Sequence, residues 1–383
     1  MDFEESYEHA SLRKAVAQLC TSFGDEYFRD VLARDGRTHE LWSALGQSGL
    51  LGVNLPEEYG GGGAGITELA IVVEETAASG APLLLLLVSA AISGEVLKEF
   101  GTHEQKQRWL PAMADGSDKM VFAITEPDAG SNTHELTTKA VRDGDEWVLS
   151  GTKYYISGVD EASNLLVVAR TGTSAKGGGE MTLFVVPTDA VGLERALIPV
   201  EVRAPEKQYT LTFDQVRISD DRRVGEVGEG MKIVFRGLNP ERITGAAIET
   251  GIARYALAKA SAYARQREVW GVPIGAHQGV SHPLAAAAVD VELARLMTAR
   301  AAWLHDNGKP AGESANMAKY AAAEAALVAL DVAIQTHGGN GLASEFGLAH
   351  LWGTARLLKV APVSREMVLN FVATHTLGLP KSY

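Results

Sequence analysis

The stretch EWVLSGTKYYISG (146–158) alternates apolar and polar residues, is rich in aromatic and β-branched side chains, and breaks at Gly and Ser. That is the period-two pattern of a half-buried strand. Runs of the same kind surround it between Val121 and about Gly230: NLLVVART, MTLFVVP and YTLTFDQVRI, separated by Gly, Asp, Ser and Pro. They predict a compact middle β domain, a barrel or sandwich, over 121–229, with TGTSAKGGGE (171–180) as a flexible hairpin tip. On both sides the period changes. SLRKAVAQLCTSF, HELWSALGQSGL and TELAIVVEETAASG repeat apolar residues every three to four positions, giving an all-α domain over 1–120. Over 230–383 three long Ala-rich segments (241–269, 282–308 and 314–339) end near Gly, and a last helix is expected to begin near Pro362. Small residues at helical spacing allow close helix approach, so an α–β–α order ending in a four-helix bundle follows from patterning.

Composition narrows the function. With 383 residues and 46% hydrophobic content the chain can bury two or three domain cores. A net charge of -13 and no basic block argue against a nucleic-acid or anionic-membrane surface. A single cysteine, Cys20, excludes an internal disulfide and fits a reducing compartment, with the cytoplasm as the default. The acidic start MDFEESYEHA has neither an apolar segment nor Arg-rich character, so no processing is expected. The apolar run from Pro82 to Ile92 falls short of the roughly 18 residues a membrane span needs and reads as a buried helix. EEYGGGGAG (57–65) follows no convincing strand and precedes no Lys-Ser/Thr, so it reads as a turn between helices, not a phosphate loop. His277 and His282 lack Asp, Glu or Cys at ligand spacing, and no metal site is expected.

LNPERI (238–243) admits two readings. In one, Asn239 caps a helix, Pro240 takes its first position and Glu241 complements the helix dipole from the first turn. In the other, Glu241 is a catalytic carboxylate. Residues elsewhere bear on the choice. FAITEPDAGSNTHELTTKA (122–140) with EWVLSGTKYYISG, then ARQREVWGVPIGAHQ (264–278), then QTHGGNGL (335–342), closely resemble the acyl-CoA dehydrogenase family, in family order and at family spacing across nearly the whole chain. The resemblance implies an N-terminal helical domain, a middle β domain and a C-terminal four-helix bundle, usually in a homotetrameric flavoprotein of fatty-acid metabolism.

It also implies FAD as cofactor and dehydrogenation of an acyl-CoA thioester between Cα and Cβ, with an electron-transfer flavoprotein as acceptor. Phe122 and Thr125 would line the flavin, and Tyr155, Ile156 and Ser157 would pack beside it, Tyr and Ser standing where most relatives have Trp and Thr. Arg267, Trp270 and Gln278, with Gln335, Gly338 and Gly339, match positions reaching the FAD diphosphate and adenosine of a neighbouring subunit. Ser131 matches a contact to the pantetheine arm and Arg242 a basic position near CoA.

Most members carry the catalytic Glu near the C-terminus, where this chain has Ala361-Pro362-Val363-Ser364. A minority, including isovaleryl- and long-chain-type enzymes, places it on a bundle helix in a Leu-x-x-Glu-Arg pattern, matched by Leu238 to Arg242. By that resemblance Glu241 is the base, in an apolar pocket that raises its pKa while a helix N-terminus opposes the rise. Ala361 in place of Tyr and the bundle-helix base hint at a branched or bulky acyl chain. Pro362 stands where relatives offer a backbone N–H to the thioester carbonyl, and Val363 and Glu366 replace Gly and Gln near the flavin. The competing expectation is therefore a non-catalytic subunit completing the sites of a related partner in a heterotetramer.

Overall fold

The computed structural model describes residues 4–173 and 178–381. The N-terminal part is helical: α1 (Tyr7–Thr21), α2 (Gly24–Ala33), α3 (His39–Gln47), α4 (Ile66–Ala78), α5 (Glu95–Phe100) and α6 (His103–Asp115). Local chemistry sets several ends. Ser6 accepts from the His9 N–H at the start of α1, Thr102 and Gln105 cap each other's backbone at the start of α6, and Gly116 stops α6 in the left-handed conformation. The apolar run at 82–92 does form a buried helix, but Leu86–Gly94 is wound as a π-helix that leads directly into α5. No helix among the described residues is long and apolar enough to cross a membrane. The glycines after the short turn Glu57–Tyr59 pack backbone on backbone: a Cβ on Gly61 would lie 2.2 Å from the Leu55 carbonyl oxygen.

The middle part is a single eight-stranded mixed sheet: β1 (Met120–Ala123), β2 (Lys139–Asp143), β3 (Glu146–Ser157), β4 (Asn164–Thr173), β5 (Gly179–Pro187), β6 (Leu193–Ile198), β7 (Gln208–Ser219) and β8 (Arg223–Val224). The opening stretch of the sequence forms one strand, β3, paired antiparallel with both β2 and β7. Its pairing with β7 is interrupted between Lys153 and Ile156, a bulge placing Tyr155 at φ 56°. β4 and β5 pair up to Thr173 and Gly179, while the middle of the expected hairpin tip (174–177) lies outside the described residues.

The C-terminal part packs α7 (Gly230–Gln266), α8 (Gln278–Asp306), α9 (Gly312–His337), α10 (Ala349–Val360) and α11 (Arg365–Phe371), with a two-stranded ribbon, β9 (Glu268–Val269) and β10 (Val272–Pro273), between α7 and α8. Alanines at 315, 318, 322, 326, 329 and 333 are buried along α9, which lets the helices approach closely. One expectation is corrected. Asn239-Pro240 does not open a helix: α7 begins ten residues earlier, at Gly230, and Pro240 is buried within it. Burying Ile233 and Val234 contributes about 1.5–3 kcal/mol each, enough to offset a proline penalty of about 3 kcal/mol. A last helix does begin near Pro362, as expected: the seven-residue α11, capped by Ser364, follows that proline, but a further helix, α10, stands before it.

Candidate active site

Glu241 lies in the fourth turn of α7, so the opposing pull of a helix N-terminus, expected from the sequence, is absent. Its Oε2 is buried without a hydrogen-bond partner. Burial pushes the carboxyl pKa up to about 8, against the opposing charges of Arg242 and Lys319. Arg242 is half-buried beside it. One guanidinium nitrogen donates to Asn239 Oδ1 at 3.1 Å, while Nε is buried and unpaired. A carboxylate oxygen and a guanidinium nitrogen, both buried and unpartnered on one turn, are groups that a bound polar molecule would complete.

Residues 85–87 lie between this part of α7 and the end of β3. Leu238, one turn before Arg242, packs on the buried cluster that holds Phe122, Ile92 and Val96. Gly158, directly after β3, closely faces the side chain of Leu85, and a Cβ on Gly245 would lie 3.7 Å from the side chain of Leu87. The segment Leu85–Leu87 therefore lies against both the residue that follows β3 and the turn of α7 after Glu241.

At that end the expected flavin residues are held together by a buried ion pair. Lys153 Nζ donates to Glu126 Oε1 at 2.8 Å and to the Ile124 carbonyl at 2.9 Å, and the Tyr154 N–H donates to the Thr125 carbonyl at 2.8 Å. Glu126 also accepts from the Thr137 and Thr138 backbone N–H groups. Although burial works against the charged form, Lys153 and these donors hold Glu126 down at about 2, while burial outweighs Glu126 at Lys153 and lowers it to about 8. Thr125 and Tyr155 are thus fixed at neighbouring positions. Tyr155 is an exposed aromatic in a backbone region that strains most residues, an arrangement suited to holding an apolar face toward a ligand. Ile156 is buried, and the Ser157 hydroxyl donates to Gln208 Oε1 at 3.0 Å. Phe122 is buried in β1.

The remaining residues expected to reach a cofactor gather at one end of the bundle. Tyr263 near the end of α7 stacks on His337 at the end of α9, and Asn340 donates to the Tyr263 hydroxyl, bringing 335–340 beside 263–278. There Arg267, Gln278, Gln335, Gly338 and Gly339 are exposed, Trp270 is 87% exposed, and His277 beside its ring has a buried, unpartnered Nε2. Among the described residues no hydrogen bond, ion pair or ring contact joins this set to the β3 end. Ser131 is exposed in the loop after β1. No group of three or more His, Cys, Asp or Glu side chains among the described residues could hold a metal.

Sequence reasoning missed the residues that support the site. Lys153 and Glu126 lie inside quoted motifs but signal no pairing across 27 positions. Lys319, 1% exposed, and Glu249, fully buried with both oxygens unpartnered, sit on helices that read only as Ala-rich.

Three acyl-CoA dehydrogenase profiles match the chain: the N-terminal domain over residues 6–117, the middle domain over 121–216 and the C-terminal domain over 228–377. The acyl-CoA dehydrogenase FadE12 of Mycobacterium tuberculosis is 54% identical over the whole chain and 99% of its own length. The mitochondrial short-chain specific acyl-CoA dehydrogenase of Bos taurus is 35% identical over 99% of this chain and 92% of its own. The solved structure of butyryl-CoA dehydrogenase from Megasphaera elsdenii superposes with a TM-score of 0.91 at 27% identity, covering 98% of this chain and 100% of that one. The three-part architecture, the ordered motifs and these full-length likenesses agree: the chain belongs to the acyl-CoA dehydrogenase family of flavin-dependent oxidoreductases.

Proposed function

We propose that this protein dehydrogenates an acyl-CoA thioester with Glu241 as the base that removes the α-proton. The observation that carries the reading is the buried, unpartnered Oε2 of Glu241, on a turn shared with Arg242, whose Nε is also buried and unpaired. A carboxylate with a desolvated, unpartnered oxygen is basic enough to take a carbon-bound proton near neutral pH. FAD, when bound, supplies the hydride acceptor. Phe122, Thr125, Tyr155, Ile156 and Ser157 would hold its ring system. Arg267, Trp270, Gln278, Gln335, Gly338 and Gly339, exposed at the far end of the bundle, suit the diphosphate and adenosine of a neighbouring subunit's cofactor, since an Arg fork and bare Gly backbone both favour a diphosphate. Arg242 and Ser131 would meet the CoA portion.

Assembly is supported by the apolar side chains that α8 leaves in solvent. Val289, Leu293, Leu296 and Trp303 recur at helical spacing and are each about half exposed or more. Burying that face takes another subunit, in a homotetramer or a heterotetramer with a related chain. The division at about 120 and 229, an electron-transfer flavoprotein as acceptor, a cytoplasmic location and a branched or bulky acyl chain complete the proposal. The last rests on Ala361 and on a base carried by α7.

Anaerobic mixing of the FAD-loaded protein with short, long, branched and polycyclic acyl-CoAs tests the activity. Bleaching of the flavin by at least one, lost in Glu241→Gln with FAD retained, is expected. Unchanged colour across the whole panel would overturn it. Pro362, which has no N–H to offer a thioester carbonyl, favours a second reading as a non-catalytic subunit; such a chain would be colourless or unstable when purified alone.

A further inference from the structure

Glu206, in the connection between β6 and β7, is a buried carboxyl outside the set that would meet flavin or CoA. Its Oε1 accepts from the Leu84 N–H at 2.9 Å, across 122 positions, and its Oε2 is buried with no partner. Leu84 in turn starts the winding of the segment that follows. Its carbonyl accepts from the Leu87 and Val88 N–H groups, at 3.0 and 3.3 Å, at the entry to the π-helix Leu86–Gly94. The Glu206 carboxyl therefore caps that segment through space.

The two residues after Glu206 hold the expected flavin end of β3. The Lys207 carbonyl accepts from the Gly158 N–H at 2.8 Å, and Gln208 Oε1 accepts from the Ser157 hydroxyl at 3.0 Å. The capped segment closes on the same place, since a Cβ on Gly158 would lie 2.7 Å from Leu85 Cδ2. Its other side runs along α7. A Cβ on Gly237 would lie 3.0 Å from the Val96 side chain and 3.6 Å from that of Ile92, and one on Gly245 would lie 3.7 Å from that of Leu87. Positions 237, 241 and 245 are four residues apart and share one helix face. Glu241 thus stands between two turns of α7 that rest on the segment Glu206 caps.

We infer that Glu206 is a positioning residue for the proposed dehydrogenation: with Lys207 and Gln208 it brackets the end of β3 and the start of the 84–96 segment, and so fixes how far Glu241 stands from the flavin. This rests on Glu241 being the base and on the flavin meeting residues 155–157. Glu206 touches no reacting atom. Proton and hydride leave neighbouring carbons of one acyl group, so base and hydride acceptor must be held at a set separation. A misplacement of about 1 Å can cost about a hundredfold in rate.

The test uses the FAD-loaded full-length protein and an acyl-CoA that bleaches the wild type. In Glu206→Leu, which keeps the bulk and removes the acceptor, the limiting bleaching rate at saturating acyl-CoA should fall at least about tenfold, while FAD stays bound and the half-saturating concentration moves less than about threefold. Amide exchange at 84–88 should quicken at least about tenfold. Glu206→Gln, whose side-chain oxygen can still accept from Leu84, should restore both to within about threefold of the wild type. An unchanged limiting rate in the Leu variant overturns the assignment even if exchange quickens, because that describes a merely structural cap. A Gln variant as slow as the Leu variant overturns it too. If Glu206→Leu does not accumulate, exchange in the wild type decides. An acyl-CoA with sulfur in place of the β-methylene, which has no β-hydrogen to give, should slow exchange at 84–88 and at 156–158 together, at least about threefold. Protection of one stretch without the other overturns the bracket. Wild-type flavin that no acyl-CoA bleaches, or bleaching that survives Glu241→Gln, refutes the underlying reaction or its base; either takes the assignment with it, and both are read without any change at Glu206.

Discussion

Glu241→Gln is expected to abolish turnover and, at alkaline pH, to stabilise the protein. The loss of a general base costs about 10²–10⁴ in rate, so bleaching should fall at least about a hundredfold with the flavin still bound. The stability effect follows from burial. The carboxyl titrates at about 8 in the folded chain against 4.5 as an ordinary glutamate. Between those values the native state holds a proton that the unfolded chain has released, so folding weakens as pH rises, by about 1.4 kcal/mol per unit. At pH 7, 2.5 units above 4.5, that is about 3 kcal/mol, and above pH 8 about 5 kcal/mol. Gln carries no such penalty, only the cost of a buried amide, about 1–3 kcal/mol if unpaired. Near pH 5, where the wild-type carboxyl is also neutral, the two proteins should melt at similar temperatures. By pH 8.5 the variant should melt distinctly higher. Scanning fluorimetry from pH 5 to 9, run beside stopped-flow bleaching, reads both effects. Melting curves that stay parallel across pH, or bleaching that persists, would refute the claim that this carboxyl is desolvated and catalytic.

Other outcomes follow from the same structure. Bleaching by the wild type should rise about tenfold from pH 7 to a plateau above pH 9, because only about a tenth of a base titrating at about 8 is ionised at pH 7; a flat profile in single-turnover measurements would contradict this. Glu126→Gln should destabilise the protein by about 3–5 kcal/mol in denaturant titrations by leaving Lys153 buried without its counter-ion. Glu126 is held down at about 2, so its contribution is present above pH 4.5 and lost as pH falls toward 2. The variant should therefore lose less of its remaining stability over that window than the wild type. Asp306→Ala should cost about 1–2 kcal/mol, measured by denaturant midpoint, because Asp306 accepts from the first N–H groups of α4, Ile66 at 2.8 Å and Thr67 at 2.9 Å.

Much of the architecture was legible because it rests on local periodicity. Alternation at 146–158 became β3, three-to-four spacing became α1, α3 and α4, and the Ala-rich runs became α7, α8 and α9. Where reading failed, a local signal met a stronger distant one. Asn239-Pro240 has the composition of a helix start, yet the apolar side chains before it are buried against Ile92 and Val96, and packing carried the helix through the proline. The helical spacing of apolar residues from His350 to Val360, which forms α10, is short and stands beside the stronger local signal of Pro362.

The sequence by itself determined the family, the α–β–α order and the identity of the candidate base, since those depend on residue types at fixed intervals along the chain. Only the tertiary structure decided what surrounds that base. The burial that raises Glu241, the Lys153–Glu126 pair that fixes Thr125 beside Tyr155 and the capping of α4 by Asp306 all join residues far apart in the chain. Desolvation and charge act through space, and the spacing of residues along a chain does not record them.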